Sequence, residues 1–237
     1  YQVQQNQQLY INYSRRTDRP WFRSLLPYLN ISNALDTSSG NPNLKPESSK
    51  TTEIGLRFKG NASFALNYFE TQVKDLINWD SHYSGAGESY TQFWFPNNLD
   101  AVRMRGLEFQ YARKWNDWSM GSQWTVLSAI DARSHQQLDR RPKQSAALTL
   151  GYRWADHLSR AELLMVASRL NNSGAEQLPG YVVANLSDRW QINPRWALIS
   201  RLDNVFDTRY KVVANGARVA YATPARSAYL TLRYTMK

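Results

Sequence analysis

The sequence predicts an all-β protein, a transmembrane antiparallel up-and-down β-barrel to which this chain contributes about ten strands. Three observations predict it: period-2 alternation recurs down the whole chain, the connections alternate between short and long, and tryptophans flank the short ones.

The strands come first. Leu9, Ile11 and Tyr13 alternate with Tyr10, Asn12 and Ser14, and Thr52, Ile54, Leu56 and Phe58 alternate with Glu53, Gly55 and Arg57. Phe64, Leu66 and Tyr68 follow, then Leu107, Phe109 and Tyr111 against Glu108 and Gln110. The next run is Ala146, Leu148, Leu150, Tyr152 and Trp154, and after it Ala161, Leu163 and Met165. Leu198, Ser200 and Leu202 precede the final run of Leu230, Leu232, Tyr234 and Met236. Such a period puts one set of side chains on each face of a sheet. Charges are expected on the face away from lipid, because an Arg or Lys at the bilayer midplane costs on the order of 2–4 kcal/mol. Arg103, Arg105, Glu108, Arg153, Glu162, Arg201, Asp203 and Arg233 are accordingly expected to face the lumen.

Tight turns are expected at 59–61, 115–117, 155–157 and 192–194, and long loops at 17–46, 76–97, 131–142, 171–179 and 207–224. Segregation of long loops to every second connection is the pattern of outer-membrane barrels, and a soluble sandwich has no reason to adopt it. Trp115, Trp118, Trp154, Trp190 and Trp196 sit beside the short turns, where an interfacial aromatic girdle needs them. The competing assignment is a core of tryptophans in a soluble β-protein.

Composition is consistent with strands that are wet on one face. The 237 residues are 42% hydrophobic and 13% aromatic, yet the mean hydropathy is −0.60. No run approaches the roughly 18 apolar residues that a spanning helix needs. The absence of cysteine removes disulfides, thiolate metal sites and a cysteine nucleophile. A net charge of +10 suits nucleic acid, lipopolysaccharide phosphate or an anionic metal chelate, and charge alone does not choose among them. The barrel pattern makes membrane lipid and chelate the expected partners and nucleic acid not one.

The segment Gly40-Asn41-Pro42-Asn43-Leu44-Lys45-Pro46-Glu47, leading into a strand with Glu53, Gly55 and Leu56, resembles the TonB-dependent outer-membrane receptor family. Matches continue in family order: Asp75-Leu76-Ile77, Gly106-Leu107-Glu108, Arg141-Pro142, Asn204-Val205-Phe206-Asp207 with Tyr210, and Pro224-Ala225-Arg226. Upstream, Ser14-Arg15-Arg16, Arg19-Pro20, Leu25, Pro27 and Tyr28 resemble a pattern of one subgroup, from which Leu26 departs. Met236 stands where a terminal aromatic residue is usual. The resemblance implies the C-terminal portion, residues 1–237, of a barrel of about 22 strands. It further implies a plug domain and a TonB box outside this chain, and a full receptor that is monomeric.

Candidate ligand contacts are Arg19, Trp21, Arg23 and Tyr28 in the first loop and Trp79, Tyr83 and Trp94 in the second. Guanidinium forks and aromatic faces together suit an anionic chelate. For the cluster Arg15, Arg16, Arg19 and Arg23, contact with lipopolysaccharide phosphate or an internal ion-pair network competes with ligand binding. The family-motif residues Asn41, Pro42, Leu44, Pro46, Glu47, Gly106, Glu108, Asn204, Phe206, Asp207, Tyr210 and Arg226 form a second group, in which Asn204 and Asp207 are expected to cap a turn. His82, His135 and His157 lack ligand-like spacing, so neither a metal site nor a cofactor is expected. The functional expectation is an outer-membrane receptor for TonB-dependent uptake of a large scarce nutrient, a ferric siderophore or similar chelate. The rival is a self-contained ten-stranded barrel enzyme, a protease or lipase, with His82 near Asp80 or His135 near Asp131.

Overall fold

The computed structural model describes residues 2–4, 6–25, 28–29, 36–38, 40–86, 89–171, 176–215 and 219–236. Its strands are β1 (Gln2–Gln4), β2 (Gln7–Asp18), β3 (Tyr28–Leu29), β4 (Asp36–Ser38), β5 (Glu47–Lys59), β6 (Ala62–Ala86), β7 (Ser89–Trp115), β8 (Trp118–Asp131) and β9 (Gln144–Trp154). They continue as β10 (His157–Val166), β11 (Arg169–Asn171), β12 (Glu176–Leu178), β13 (Tyr181–Gln191), β14 (Trp196–Asp203), β15 (Lys211–Asn215), β16 (Val219–Ala222) and β17 (Ser227–Tyr234). A single turn of helix, α1 (Phe22–Leu25), follows β2. No helix among the described residues is long and apolar enough to cross a membrane, which says nothing of strands.

The main sheet runs β1-β2-β5-β6-β7-β8-β9-β10-β13-β14-β17, so short β1 is joined to ten longer strands, each antiparallel to the next. The sheet is open, with β1 and β17 at its two edges. The register confirms the expected faces. Leu9, Leu56, Leu66, Phe109, Trp124 and Ala146 lie in one cross-strand row, and Ile11, Ile54, Tyr68, Leu107 and Val126 in the next. This apolar side is the outward face. Ile11 is 72% exposed and Leu230 71%, too open for the inside of a sandwich. On the other side Tyr10, Glu53, Arg57, Asn67, Glu108, Gln110, Gln123 and Thr149 line a cavity of about 650 Å³. The polar side is read as the inward one from its charges, which lipid would not accept; a cavity by itself does not decide, since one of about 740 Å³ lies against Leu150, Tyr152, Leu186, Leu202 and Leu230 on the apolar side.

Two of the expected lumenal charges do not go there. Arg103 and Arg105 share the phase of Leu107 and Phe109 on β7 and lie outward, beyond the apolar rows toward the long-loop end. The other six, Glu108, Arg153, Glu162, Arg201, Asp203 and Arg233, have the inward phase. Arg201 pairs with Asp203 at 3.0 Å and lies over the Tyr229 ring.

The short turns fall where expected. β7 and β8 are joined through Asn116 and β9 and β10 through Ala155, both at positive φ. At this end Trp118 meets Tyr152 with ring centroids 4.5 Å apart, Trp154 stacks on His157 at 4.0 Å, and Trp196 meets Tyr234 at 4.8 Å. These residues share the outward phase, and His157, stacked between Trp154 and Trp190 (5.7 Å), lies in the girdle. At the opposite end the segment expected as a loop at 76–97 is largely strand. β6 and β7 pair from Leu76↔Leu99 out to Ala86↔Ser89, an extended hairpin standing above the rest of the wall.

Glycine matters at Gly106, on the inward face of β7. A Cβ there would lie 2.6 Å from the Val126 carbonyl oxygen and 2.9 Å from the Phe69 ring, which covers the bare backbone. Gly106→Val in the full-length protein is expected to lower stability by about 1–3 kcal/mol, read as a lower urea midpoint. Gly121→Ala should be near neutral, because its new Cβ meets nothing closer than Thr149 at 3.9 Å. Equal midpoints for both variants would refute the packing of Phe69 on Gly106.

Candidate functional site

At the long-loop end the inward face opens into a cavity of about 540 Å³, lined by Arg16, Asp18, Arg19, Trp21, Ser24, Glu47, Ile77 and Trp79. Arg16 and Asp18 come from the last inward positions of β2, and Asp18 lies opposite Glu47, the first residue of β5. Ile77 and Trp79 stand on the extension of β6 beyond Asp75, whose positive φ of 56° coincides with the end of pairing to β5. Arg19 and Trp21 follow β2 directly, and α1 sets buried Ser24 beneath them. The Ser24 amide donates to the Trp21 carbonyl at 2.8 Å, fixing the chain between them.

The two carboxylates of this vestibule are engaged in the scaffold. Glu47 accepts from the Ile77 amide at 2.6 Å, and Asp18 holds Arg16 at 2.8 Å. What remains toward solvent is the Arg19 guanidinium and two indoles, Trp21 at 81% and Trp79 at 41% exposure. Arginine offers planar donors to an oxyanion, and indole faces offer stacking surface to a flat group or a cation. The structure thus brings Arg19, Trp21 and Trp79 to one cavity. The side chains of Arg23, Tyr28, Tyr83 and Trp94 lie outside the described part. Their backbones are placed: Tyr28 pairs with Ser38, and β4 runs parallel to β7 so that Ser38 adjoins Trp94. Leu26 and Pro27 lie outside the described residues.

The arginine cluster is divided by the strand period. Arg16 and Arg19 belong to the vestibule, whereas Arg15 has the outward phase and lies beside Lys50.

The motif residues act as clamps under this site. Asn41 accepts from the Asn43 amide at 3.0 Å through Oδ1 and donates through Nδ2 to the Pro96 carbonyl at 3.1 Å. Leu44 is buried, with Pro42 and Pro46 exposed on either side. Asn98 accepts from the Lys45 amide at 2.8 Å and donates to the carbonyls of Lys45 and Asp75. The first loop is so tied to the β6–β7 hairpin. Glu108 faces the larger inward cavity.

A second clamp follows β14. Asn204, at positive φ and buried, donates from Nδ2 to the carbonyls of Thr208 at 3.0 Å and Pro224 at 3.3 Å, and accepts from the Thr208 amide at 2.9 Å. Asp207 accepts from the Arg226 amide at 2.9 Å. Tyr210 stacks on Tyr181 at 4.2 Å, while Phe206 is 70% exposed. Arg169, which no sequence motif marks, completes this region. It is buried, lies over the Tyr181 ring and donates to the carbonyls of Lys211 and Val212.

A Ser–Asp–His cluster is present, with Asp188 2.8 Å from the His157 Nδ1 and accepting from the Ser159 hydroxyl at 2.7 Å, but it lies on the outward face beside the short turns, and its serine is hydrogen-bonded to the carboxylate rather than to the imidazole, so it is no nucleophile–base pair. Nor do the loop pairs of the enzyme rival form one. Asp131 spends one carboxylate oxygen on the amides of Arg133 and Ser134 and on the Ser134 hydroxyl. The Ser134 amide, against the opposing effect of burial, holds its pKa below the usual carboxylate range. It therefore caps its own turn, and its contact with His135 is through the backbone. The side chains of Asp80 and His82 lie outside the described part. Among the described residues, no group of three or more His, Cys, Asp or Glu could hold a metal ion.

Comparison with known proteins agrees with the architecture. A family model described as "TonB dependent receptor-like, beta-barrel" matches residues 1–205. The vitamin B12 transporter BtuB of Vibrio vulnificus is 24% identical over 200 residues, covering 83% of this chain and 31% of the relative. BtuB of Photobacterium profundum is 27% identical over 208 residues with the same coverage. Among solved structures, the copper transporter OprC superposes with a TM-score of 0.78 at 17% identity, over 97% of this chain and 38% of that one. The ferric enterobactin receptor PfeA of Pseudomonas aeruginosa superposes at 0.76 and 19% identity, over 99% and 39%. The chain spans about a third of the length of these relatives, which are transporters and receptors rather than enzymes. With the family model matching most of its length, the chain belongs to the TonB-dependent receptor β-barrel family.

Proposed function

We propose that this chain is the C-terminal portion of an outer-membrane receptor of a Gram-negative bacterium, one that takes up a large scarce nutrient with energy from TonB. The observation that carries the reading is the vestibule. Arg19, Trp21 and Trp79 converge on the inward face at the long-loop end, the side from which an external ligand enters such a barrel. An anionic metal chelate with flat aromatic groups, such as a ferric siderophore, matches a cavity lined by a guanidinium and two indoles. The plug and the TonB-contacting segment belong to the part of the receptor beyond this chain, and the full receptor works as a monomer in outer-membrane lipid. Cobalamin is the second reading, favoured by the vitamin B12 transporters among the sequence relatives.

Calorimetry on the full-length receptor with a ferric catecholate chelate and, separately, with cobalamin tests both. For the ligand that binds, Arg19→Ala and Trp79→Ala are each expected to weaken affinity by about tenfold, the scale of one lost charge-assisted contact. Wild-type affinity in both variants would remove the vestibule from the binding surface. Binding of neither compound, with iron-limited growth unchanged on deletion of the gene, would end the chelate-receptor reading.

A further inference from the structure

Five cations stand on the outward face of four neighbouring strands, just past the apolar rows toward the long-loop end. Arg15 on β2 pairs with Lys50 on β5, Lys50 with Gln72 on β6, and Gln72 with Arg103 on β7, so these form one transverse row. The row nearer the apolar belt reads Tyr13, Thr52, Glu70 and Arg105, and the row farther out Thr17, Ser48, Lys74 and Ala101. Arg15, Lys50, Lys74, Arg103 and Arg105 are all exposed. The only acid in these three rows of the four strands is Glu70, 3.8 Å from Arg103 and 3.2 Å from the Gln72 amide nitrogen. On β8 the same two inner rows end in Ser128 and Ile130, so the basic character stops there.

Such a patch does not stabilise the sheet. Arg15 and Lys50 are directly opposed, and like charges in that position are destabilising. A cationic surface that opposes folding implies an anionic partner in the folded setting. Its position selects the partner's chemistry. Immediately below lie Ile11, Ile54, Tyr68 and Leu107, exposed between 39% and 72%, which suit acyl chains. A soluble anion has no use for that belt. A phosphorylated lipid does, since its phosphates reach the cations while its chains cover the apolar rows.

We propose that Arg15, Lys50, Lys74, Arg103 and Arg105 form a docking surface for the phosphates of an outer-leaflet glycolipid, the lipid A part of lipopolysaccharide. This rests on the membrane-barrel reading, and it locates the lipid partner on a face separate from the nutrient vestibule. Tyr13 and Thr52 carry hydroxyls in the inner row, within reach of the glycolipid's sugar at the boundary.

The test uses full-length receptor in detergent, with co-purified and added lipid A counted by native mass spectrometry. The probes are bisphosphorylated lipid A, its dephosphorylated form, and inorganic phosphate. The variant is the triple Lys50→Ala, Arg103→Ala, Arg105→Ala, and the control is Arg141→Ala with Lys143→Ala, two exposed cations off the patch. Each cation near a membrane surface contributes about a fivefold gain for an anionic lipid, so the triple variant should lose roughly 100-fold in affinity while the control retains it. Dephosphorylated lipid A should bind wild type no better than the bisphosphorylated form binds the triple variant, and added salt should weaken wild-type binding. Equal retention by wild type and triple variant overturns the proposal. So does equal binding of dephosphorylated lipid A, which would leave only the apolar belt, or displacement by millimolar inorganic phosphate, which would indicate a soluble-anion site. The heat-modifiable gel shift of each variant reports barrel folding. Should the triple variant not fold, Lys50→Gln and Arg105→Gln singly carry the same comparison. Nutrient binding by the triple variant should equal wild type, so failure here and failure of the receptor reading are separate results.

Discussion

Leu148→Arg is expected to cost the receptor about 2–4 kcal/mol of stability in a bilayer, with Gln123→Arg costing under about 1 kcal/mol. Leu148 lies on the outward face of β9 between Ser122 and Leu163 in register, six residues above Trp154 in the girdle. At a strand rise of about 3.3 Å and a tilt near 45°, six residues climb about 14 Å. That is close to the middle of an apolar band about 25 Å tall. A guanidinium there must either lose its water or drag water into lipid. Gln123, one strand away, has the inward phase and lines the polar cavity, where an added charge stays wet. The measurement is the urea midpoint of the full receptor refolded into vesicles of uniform chain length. Equal midpoints for the two variants would overturn the assignment of the outward face, and with it the membrane reading on which vestibule and lipid surface both depend.

That assignment was legible in the sequence because a strand's side-chain period is two and lipid tolerates few charges on one of the two faces. The short turns were legible for a related reason: Trp115 and Trp118, or Trp154 and His157, bracket gaps too short for anything but a hairpin. The errors have physical causes as well. Arg103 and Arg105 are expected inward only if charge is taken as proof of a lumenal position. Their phase relative to Leu107 puts them outward, and the wall continues beyond the apolar band, where an outward arginine costs nothing in lipid. The 76–97 segment is expected as a loop because nothing local shows that Leu76 through Ala86 finds a partner in Ser89 through Leu99; its aromatic content is also what a strand prefers.

Of the site, the sequence showed the residue types and not their meeting. Arg19 and Trp21 are close in sequence to one another, but Trp79 joins them only because β6 outruns β5. The motif residues were recognisable as a group, while their work was hidden in long-range bonds such as Asn41 to Pro96 and Asn98 to Lys45, each more than 50 residues apart. Arg169 left no trace at all in the pattern, since its partners are backbone carbonyls.

Asn204→Ala should be among the most damaging single changes outside the apolar face, because one side chain makes three hydrogen bonds that tie the turn after β14 to the segment leading into β17. Its Nδ2 donates to the Thr208 and Pro224 carbonyls and its Oδ1 accepts from the Thr208 amide, in a residue only 4% exposed. Three net hydrogen bonds at about 0.5–1.5 kcal/mol each, in a site where the abandoned backbone groups are poorly hydrated, imply a loss of about 2–4 kcal/mol. Alanine adds about 1 kcal/mol more, because φ is +51° and asparagine tolerates that region better than alanine. Glycine removes only the second cost, so Asn204→Gly should fall between wild type and Asn204→Ala. The readouts are the urea midpoint and protease cleavage within 207–226, where loss of the tether to Pro224 frees the connection between β14 and β17. A clamp of this kind predicts cleavage rising in the order wild type, glycine, alanine. If alanine and glycine variants instead match wild type in both measurements, Asn204 does not hold the connection, and the motif's presence there needs a different cause, such as contact with a part of the receptor beyond this chain.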